Sequence, residues 1–229
     1  MTETLLALES ATLGYDGDPI LVDVSLSIER GELFALIGRN GTGKSTLLAA
    51  FLGTLAPKVG TRTGSPRIGF APQRGELDPV FPFLAREVVA MGLVGRGRYS
   101  RGETKRLVDR ALETAGLLEK AETAFRDLSG GQRQRAMIAR ALVAEPEVLI
   151  LDEPTNDLDV EGQVEVVELI RRLNSEGRTI VFVSHALELV KKTAKRVGVL
   201  SDRTLTLVEP ERLDDEVELA RLLGIATPS

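Results

Sequence analysis

Gly38-Arg39-Asn40-Gly41-Thr42-Gly43-Lys44-Ser45 constrains this chain more than any other stretch. It has the form G-x-x-x-x-G-K-[ST], in which glycines let the backbone curl until successive N–H groups converge on one anion. The apolar run Leu33-Phe34-Ala35-Leu36-Ile37 before it reads as a strand, and Thr46-Leu47-Leu48-Ala49-Ala50-Phe51-Leu52 after it reads as a helix. Strand, glycine loop and helix is the context in which this pattern holds phosphate. The helix N-terminus adds its partial positive charge. Lys44 is then expected to reach the β- and γ-phosphates of a nucleoside triphosphate, and the Ser45 hydroxyl to ligate Mg²⁺.

Composition narrows the setting. At 229 residues the chain can bury a sizeable core as one large domain or two small ones, and its 43% hydrophobic content with mixed charges is that of a globular protein. There is no cysteine, which excludes disulfides and cysteine-based metal sites and fits a reducing cytosol. Met1-Thr2-Glu3-Thr4 has no basic region followed by an apolar core, so no secretory signal is expected. No apolar run approaches the length of a membrane span, so a membrane role would come through a partner. The net charge of −5 argues against broad nucleic-acid binding.

In chain order, residues 4–13 and 20–28 read as strands, with Val22, Val24, Leu26 and Ile28 alternating with polar neighbours as in a half-buried antiparallel sheet. Tyr15-Asp16-Gly17-Asp18-Pro19 between them is turn chemistry. Pro57 through Pro66 reads as a loop, and 67–71 as a short strand ending at Pro72-Gln73. From there to about 145 the pattern is mainly helical, with helices over 87–91, over 103–115 closed by Gly116, and from Leu128-Ser129-Gly130-Gly131-Gln132 to about Ala144. In the last of these Met137/Ala141 and Ile138/Leu142 form apolar pairs, leaving Arg133, Arg135 and Arg140 to a polar face. Val148–Leu151 and Thr179–Val183 read as buried strands flanking a helix over 160–174. Strands near 196–200 and 203–208 and a helix near 210–223 follow. The alternation predicts an α/β core formed by 1–73 and 146–229, with an inserted helical subdomain at 74–145. The basic run Arg96–Arg110 reads as a solvated face, or as a contact for a partner protein or anionic lipid; the acidic residues Asp214-Asp215-Glu216 read as a solvated helix.

Asp152 and Glu153 stand at the carboxyl end of the run Val148–Leu151, the sheet edge where ligands bind in α/β proteins. One carboxylate there can hold hydrated Mg²⁺, and the second can polarise an attacking water as general base.

With these motifs and Leu128-Ser129-Gly130-Gly131-Gln132 together, the sequence resembles an ATP-binding cassette (ABC) ATPase over nearly its whole length. Leu-Ser-Gly-Gly-Gln is the family's signature, and the motif order matches: phosphate loop, Gln after a strand, signature, Asp-Glu, then His after the next strand. The resemblance implies a P-loop nucleoside triphosphate hydrolase core with an N-terminal antiparallel β subdomain and an inserted α-helical subdomain. It implies that ATP and water give ADP and phosphate, with Gly38, Arg39, Asn40, Gly41, Thr42, Gly43, Lys44, Ser45 and Thr46 around the phosphates and Tyr15 stacked on adenine. Ser45, Gln73 and Asp152 would hold Mg²⁺; Gln73, Glu153 and His185 would be catalytic. Asn156-Asp157-Leu158-Asp159 would be a loop crossing a dimer interface, and Asp159 is also placed to cap the following helix.

In this family the signature completes the site of a second cassette, so Ser129, Gly130, Gly131 and Gln132 would bind nucleotide in trans within a head-to-tail homodimer. A single cassette without membrane spans resembles importer subunits, which work with separate transmembrane permease subunits and indirectly a substrate-binding protein. The expected place is the cytoplasmic side of the membrane, with no direct nucleic-acid contact. Pro72-Gln73-Arg74, Asp78, Phe81-Pro82 and Val88-Val89-Ala90-Met91-Gly92 are similar to the permease-docking segment of zinc and manganese uptake cassettes. Leu84-Ala85 departs from their usual Thr-Val, and Asn156–Asp159 is more usual in other cassettes. A soluble ABC ATPase acting on ribosomes or DNA is a second reading; relatives of that kind carry two cassettes or long coiled-coil insertions. A non-hydrolysing nucleotide-gated module is a third, and intact Lys44, Glu153 and His185 speak against it.

Overall fold

A computed structural model describes residues 3–73 and 82–225. The sequence expectations on Met1, Thr2, Arg74, Asp78 and Phe81 lie outside the described residues. In chain order the elements are β1 (Thr4–Leu13), β2 (Leu21–Glu29), β3 (Leu33–Gly38), α1 (Lys44–Leu52), β4 (Val59–Thr63), β5 (Ile68–Ala71), α2 (Ala85–Ala90), α3 (Arg101–Thr114), α4 (Gly130–Leu142), β6 (Val148–Asp152), α5 (Val160–Ser175), β7 (Thr179–Val183), α6 (Leu187–Thr193), β8 (Arg196–Ser201), β9 (Thr204–Val208) and α7 (Glu216–Leu222). They fall into two compact units, Met1–Pro66 with Gly177–Ser229, and Arg67–Glu176. No described helix is long and apolar enough to cross a membrane.

The first unit holds an antiparallel sheet in the order β2-β1-β4, and a sheet section in which β3 lies between β7 and β8, with β9 antiparallel on β8. β3 pairs in parallel with both neighbours, and Leu33–Ile37 and all of β7 are buried. That is why both segments read as unbroken apolar runs rather than alternating ones.

The antiparallel sheet departs from its simple pattern. Val24, Leu26 and Ile28 point inward as expected, but Val22 is exposed and Leu21 is buried in its place. Between the pairs Ala11↔Val24 and Leu13↔Leu21, β2 advances one residue more than β1, and Asp23 sits at φ 52°. This bulge reverses the inward phase of the strand. The segment 57–66 is not a plain loop either, because Val59–Thr63 pairs with β1 as an edge strand. Four of its five residues are exposed, so there was no buried side chain to signal it. A Cβ at Gly60 would lie 2.3 Å from the carbonyl oxygens of both Glu9 and Ser10, so only glycine fits there.

In the second unit β5 and β6 pair in parallel, Ile68↔Val148 through Ala71↔Leu151, and α4 packs on β5. Gly69 permits that approach, since a Cβ there would meet Ala141 O at 2.2 Å. α3 begins at Arg101, two residues earlier than its periodicity indicates, because Ser100 and Glu103 form a capping box. α2 starts without a Thr cap: the Glu87 carboxylate accepts from the Leu84 N–H at 2.8 Å instead. The single helix expected at 210–223 is divided into a 3₁₀ turn, Pro210–Asp214, and α7. Asp215 makes the division, its carboxylate accepting from the N–H groups of Val217 and Glu218 at 2.9 and 3.1 Å.

Candidate nucleotide-binding and catalytic residues

The phosphate loop follows from its glycines. β3 delivers the chain to Gly38, and Gly41 and Gly43 then take φ of 84° and 99°, a region closed to most side chains. Gly43 is excluded from any other residue twice over, because a Cβ would lie 2.9 Å from Leu21 Cδ2 and 3.0 Å from Ile20 Cγ2. The Lys44 ammonium donates to the carbonyl oxygens of Gly38 at 2.7 Å and Arg39 at 3.0 Å, which holds the charge at the loop. Thr42 closes the turn, with its hydroxyl donating to Arg39 O at 2.9 Å. Arg39, Asn40, Gly41 and Ser45 are exposed, whereas Thr46 is buried at the first turn of α1. Residues 38–45 therefore form the expected glycine turn between a strand and a helix.

Two further expected residues lie in the same unit. Tyr15 is 56% exposed in the β1–β2 connection, which ends at the Ile20 and Leu21 side chains that border Gly43. An exposed aromatic ring is thus carried on a segment that runs directly into the wall of the phosphate loop. His185 is exposed two residues beyond Val183, and Val183 pairs with Leu36, two residues before Gly38. His185 and the phosphate loop consequently leave neighbouring parallel strands at the same edge. Buried Ser184 anchors that exit, receiving the Ala186 N–H at 3.0 Å.

The second unit groups the remaining candidates. Ala71 pairs with Leu151, so Gln73 and the pair Asp152-Glu153 emerge together at the carboxyl ends of β5 and β6. Gln73 is exposed, and Asp152 and Glu153 are half-buried. Glu153 has φ 48°, a left-handed conformation that is costly for a residue with a Cβ. Its carbonyl accepts the Asn156 N–H at 3.2 Å, which begins the turn through Asp157 at φ 56° to Asp159. Asp159 caps α5, accepting from the Gly162 N–H at 2.9 Å.

Ser129 opens α4 through a reciprocal cap. Its hydroxyl accepts from the Gln132 N–H at 3.2 Å, and the Gln132 side chain accepts from the Ser129 N–H at 3.0 Å. Ser129 is exposed, Gly130 is half-buried and Gly131 is buried.

The family model for the ABC transporter matches residues 21–156, more than half of the chain. The chain belongs to the ABC transporter family. Among relatives of this cassette is the zinc import ATP-binding protein ZnuC of Cereibacter sphaeroides, 38% identical over 98% of this chain and 90% of that protein. Two solved structures share the ABC ATPase fold. One is cbiO1 from Clostridium perfringens, part of the ABC transporter complex cbiONQ, with a TM-score of 0.83 and 32% identity over 96% of this chain and 94% of that one. The other is the dimeric ATP-binding cassette MJ0796 in a post-hydrolysis state with ADP and Pi, with a TM-score of 0.76 and 28% identity over 90% of this chain and 99% of that one. The α/β P-loop fold and the ATPase class expected from the motifs are thereby established for this cassette.

The structure also shows what motif reading overlooked in this ABC cassette. Gly162, outside every motif, packs against Gly131 of the signature. Arg135 is not a solvent-facing charge: it donates to Ala115 O at 3.2 Å and pairs with Glu165 at 3.2 Å. Arg62, on the unanticipated strand β4, donates to the carbonyls of Ala50 and Phe51 at 2.8 Å each and so caps the end of α1. A glycine at helical spacing from a capping Asp is the only signal that could have flagged Gly162.

Proposed function

We propose that this chain is the ATP-hydrolysing subunit of an importer for a divalent metal ion, zinc being the first candidate. The relative from Cereibacter sphaeroides is a zinc import ATP-binding protein, which supports the cargo. The metal ion is carried by separate permease subunits and reaches them through a substrate-binding protein; it never touches this chain. The membership of cbiO1 in a multi-subunit transporter complex supports that division of labour. The working form is a head-to-tail pair of cassettes on the inner face of the cytoplasmic membrane, a reading supported by the dimeric MJ0796 cassette. Residues 74–145 serve as the helical subdomain that faces the permease.

The observation that carries the catalytic reading is the exit of Gln73, Asp152 and Glu153 from neighbouring strands at one edge. In the proposed mechanism the N–H groups of residues 38–46 and the Lys44 ammonium hold the phosphates, and Tyr15 stacks on the adenine. Glu153 accepts a proton from a water whose oxygen bonds to the γ-phosphorus. The bond from that phosphorus to the β,γ-bridging oxygen breaks, leaving ADP and phosphate. His185 contacts the γ-phosphate and orients it. Ser129 and the amides of Gly130 and Gly131 in the second copy close the site, with Gln132.

The residues present suit Mg²⁺. The Ser45 hydroxyl, Gln73 amide oxygen and Asp152 carboxylate are hard oxygen donors, and Mg²⁺ takes its other ligands from water and phosphate. Bound there, Mg²⁺ would neutralise phosphate charge.

Replacing the proposed base tests this. Glu153→Gln should keep ATP binding while turnover falls about 10³-fold, within the range for loss of a general base. Turnover at the wild-type rate would remove Glu153 from that role. Reconstitution with the permease in vesicles, scored by ATP-dependent zinc uptake, tests the cargo separately.

A further inference from the structure

The starts of α4 and α5 touch through two glycines. A Cβ on Gly131 would lie 2.8 Å from the Cα of Gly162, and a Cβ on Gly162 would lie 3.2 Å from the Cα of Gly131 and 2.8 Å from Asp159 Oδ1. Both residues are helical, and neither has the positive φ that would itself call for glycine. The close approach is what excludes a side chain. The junction is tied again one turn further on, where Arg135 of α4 pairs with Glu165 of α5 at 3.2 Å. Asp159 completes it by capping α5 on the Gly162 N–H at 2.9 Å.

We infer that Gly162 is a positioning residue for ATP hydrolysis: it fixes Ser129–Gln132 relative to the segment Glu153–Asp159 of the same chain. This rests on the proposed role of Ser129–Gln132 in closing the ATP site of a second copy. Where the two glycines meet, backbone lies against backbone, and close-packed contacts transmit displacement rather than damping it. A shift of the turn after Glu153, already strained at Glu153 and Asp157, is delivered through Asp159 and Gly162 to the N-terminus of α4. The base of one site and the signature closing the other site therefore move as one body.

Gly162→Ala tests this in the full chain. A misplacement of about 1 Å in a catalytic arrangement costs up to about 10²-fold, so kcat should fall at least about tenfold. The KM for ATP, and the Kd of the isolated chain, should stay within about twofold, because the phosphate loop is unaltered. In a Glu153→Gln background, ATP-dependent dimerisation followed by sedimentation should require about tenfold more protein for the same misplaced surface. Gly102→Ala, at a helical glycine whose Cβ would have nothing within 4 Å, should match the wild type. Wild-type kcat and dimerisation in Gly162→Ala would overturn the inference. So would a fall in kcat, affinity and melting temperature together, which marks a merely structural residue. If Gly162→Ala fails to fold, Glu165→Gln keeps both glycines and loosens the same junction; it should lower kcat with KM unchanged, and wild-type kcat there would overturn the inference. Ser129→Arg separates the two levels. Full turnover in that variant removes the trans role of the signature and this inference with it, whereas loss of turnover there beside a normal Gly162→Ala sinks this inference alone.

Discussion

The N-termini of α1 and α4 are the two glycine-rich helix starts of this cassette, and they are built in opposite ways. α1 begins at Gly43, in a left-handed conformation and with no side-chain cap. α4 begins at Ser129, in an extended conformation and closed by a reciprocal Ser129–Gln132 cap. They share one property that sets them apart. Neither carries an acidic residue in its first turn, whereas α2, α3, α5, α6 and α7 carry Glu87, Glu103, Glu161, Glu188 and Glu216 there. A carboxylate at a helix start satisfies the dipole from within. These two starts alone among the described α-helices supply no carboxylate of their own, although the Glu165 carboxylate of α5 lies beside Gly131 at the start of α4. At α1 the N-cap Gly43 has no side chain to cap the first turn. At α4 the first-turn donor is already bonded, so a ligand must displace or share the cap. This difference is the one expected if, as proposed, α1 holds ATP in the single chain and α4 engages the phosphate of a second copy.

The largest expected effect tests the α1 half of that contrast. Lys44→Ala should weaken ATP binding to the isolated chain about 100-fold, equivalent to about 2.7 kcal/mol, through loss of charge-assisted bonds to phosphate. Calorimetric titration reads it directly. Ser129→Ala in the same titration should change the affinity less than about twofold, a small fraction of a kcal/mol. Equal losses in the two variants would break the contrast, because both starts would then serve the ATP of one chain.

The next effect concerns how firmly each start is held from behind. The far end of α1 is fixed by Arg62, whose guanidinium also donates to Gly64 O at 2.9 Å. α4 ends at Val143 and is closed by backbone bonds, Val143 N–H to Ala139 O at 2.9 Å and Glu145 N–H to Leu142 O at 2.8 Å. Arg62→Ala should cost about 2 kcal/mol, since each hydrogen bond from a charged donor contributes about 1.5–3 kcal/mol and Arg62 is only half-buried. Urea unfolding measures it, with Arg62→Lys keeping part of the loss from appearing. If Arg62→Ala is silent, the backbone bonds from Gly53, Thr54 and Leu55 hold that end without it and the two helices differ only at their starts.

How much of this was legible in the sequence depended on whether a feature is local. The phosphate loop was legible because glycine, lysine and serine at fixed spacing carry their own geometry. The strands β3, β6 and β7 were legible because burial on both faces writes an unbroken apolar run. Val22 was misread because a bulge at Asp23 belongs to the pairing of two strands and leaves no mark on one. β4 was missed because an exposed edge strand needs no apolar side chains, and Arg62 was missed with it. Asp215 looked like part of an acidic surface, yet one carboxylate two residues before an N–H is enough to start α7. Among the site residues, the motif members stood out by type and order, while Gly162 acts only through a contact with a helix some thirty positions away in the chain.

The smallest effect is the sharpest probe of α4. Ser129→Ala removes a side-chain cap and should cost about 1 kcal/mol of stability, the usual value for such a substitution. Gln132→Ala should cost less, about 0.5 kcal/mol, because the Ser129 N–H it leaves is exposed and water can replace the lost partner. The two bonds form one box, so the double variant should lose less than the sum of the single losses, by about 0.5 kcal/mol. Strict additivity would mean that the two side chains act separately, and the α4 start would then be no more closed than that of α1. Coupled losses, together with an unchanged ATP affinity of the isolated chain, would place the cap where the contrast needs it: a self-satisfied helix start that is stable without nucleotide and has bonds to exchange when a phosphate from another copy arrives.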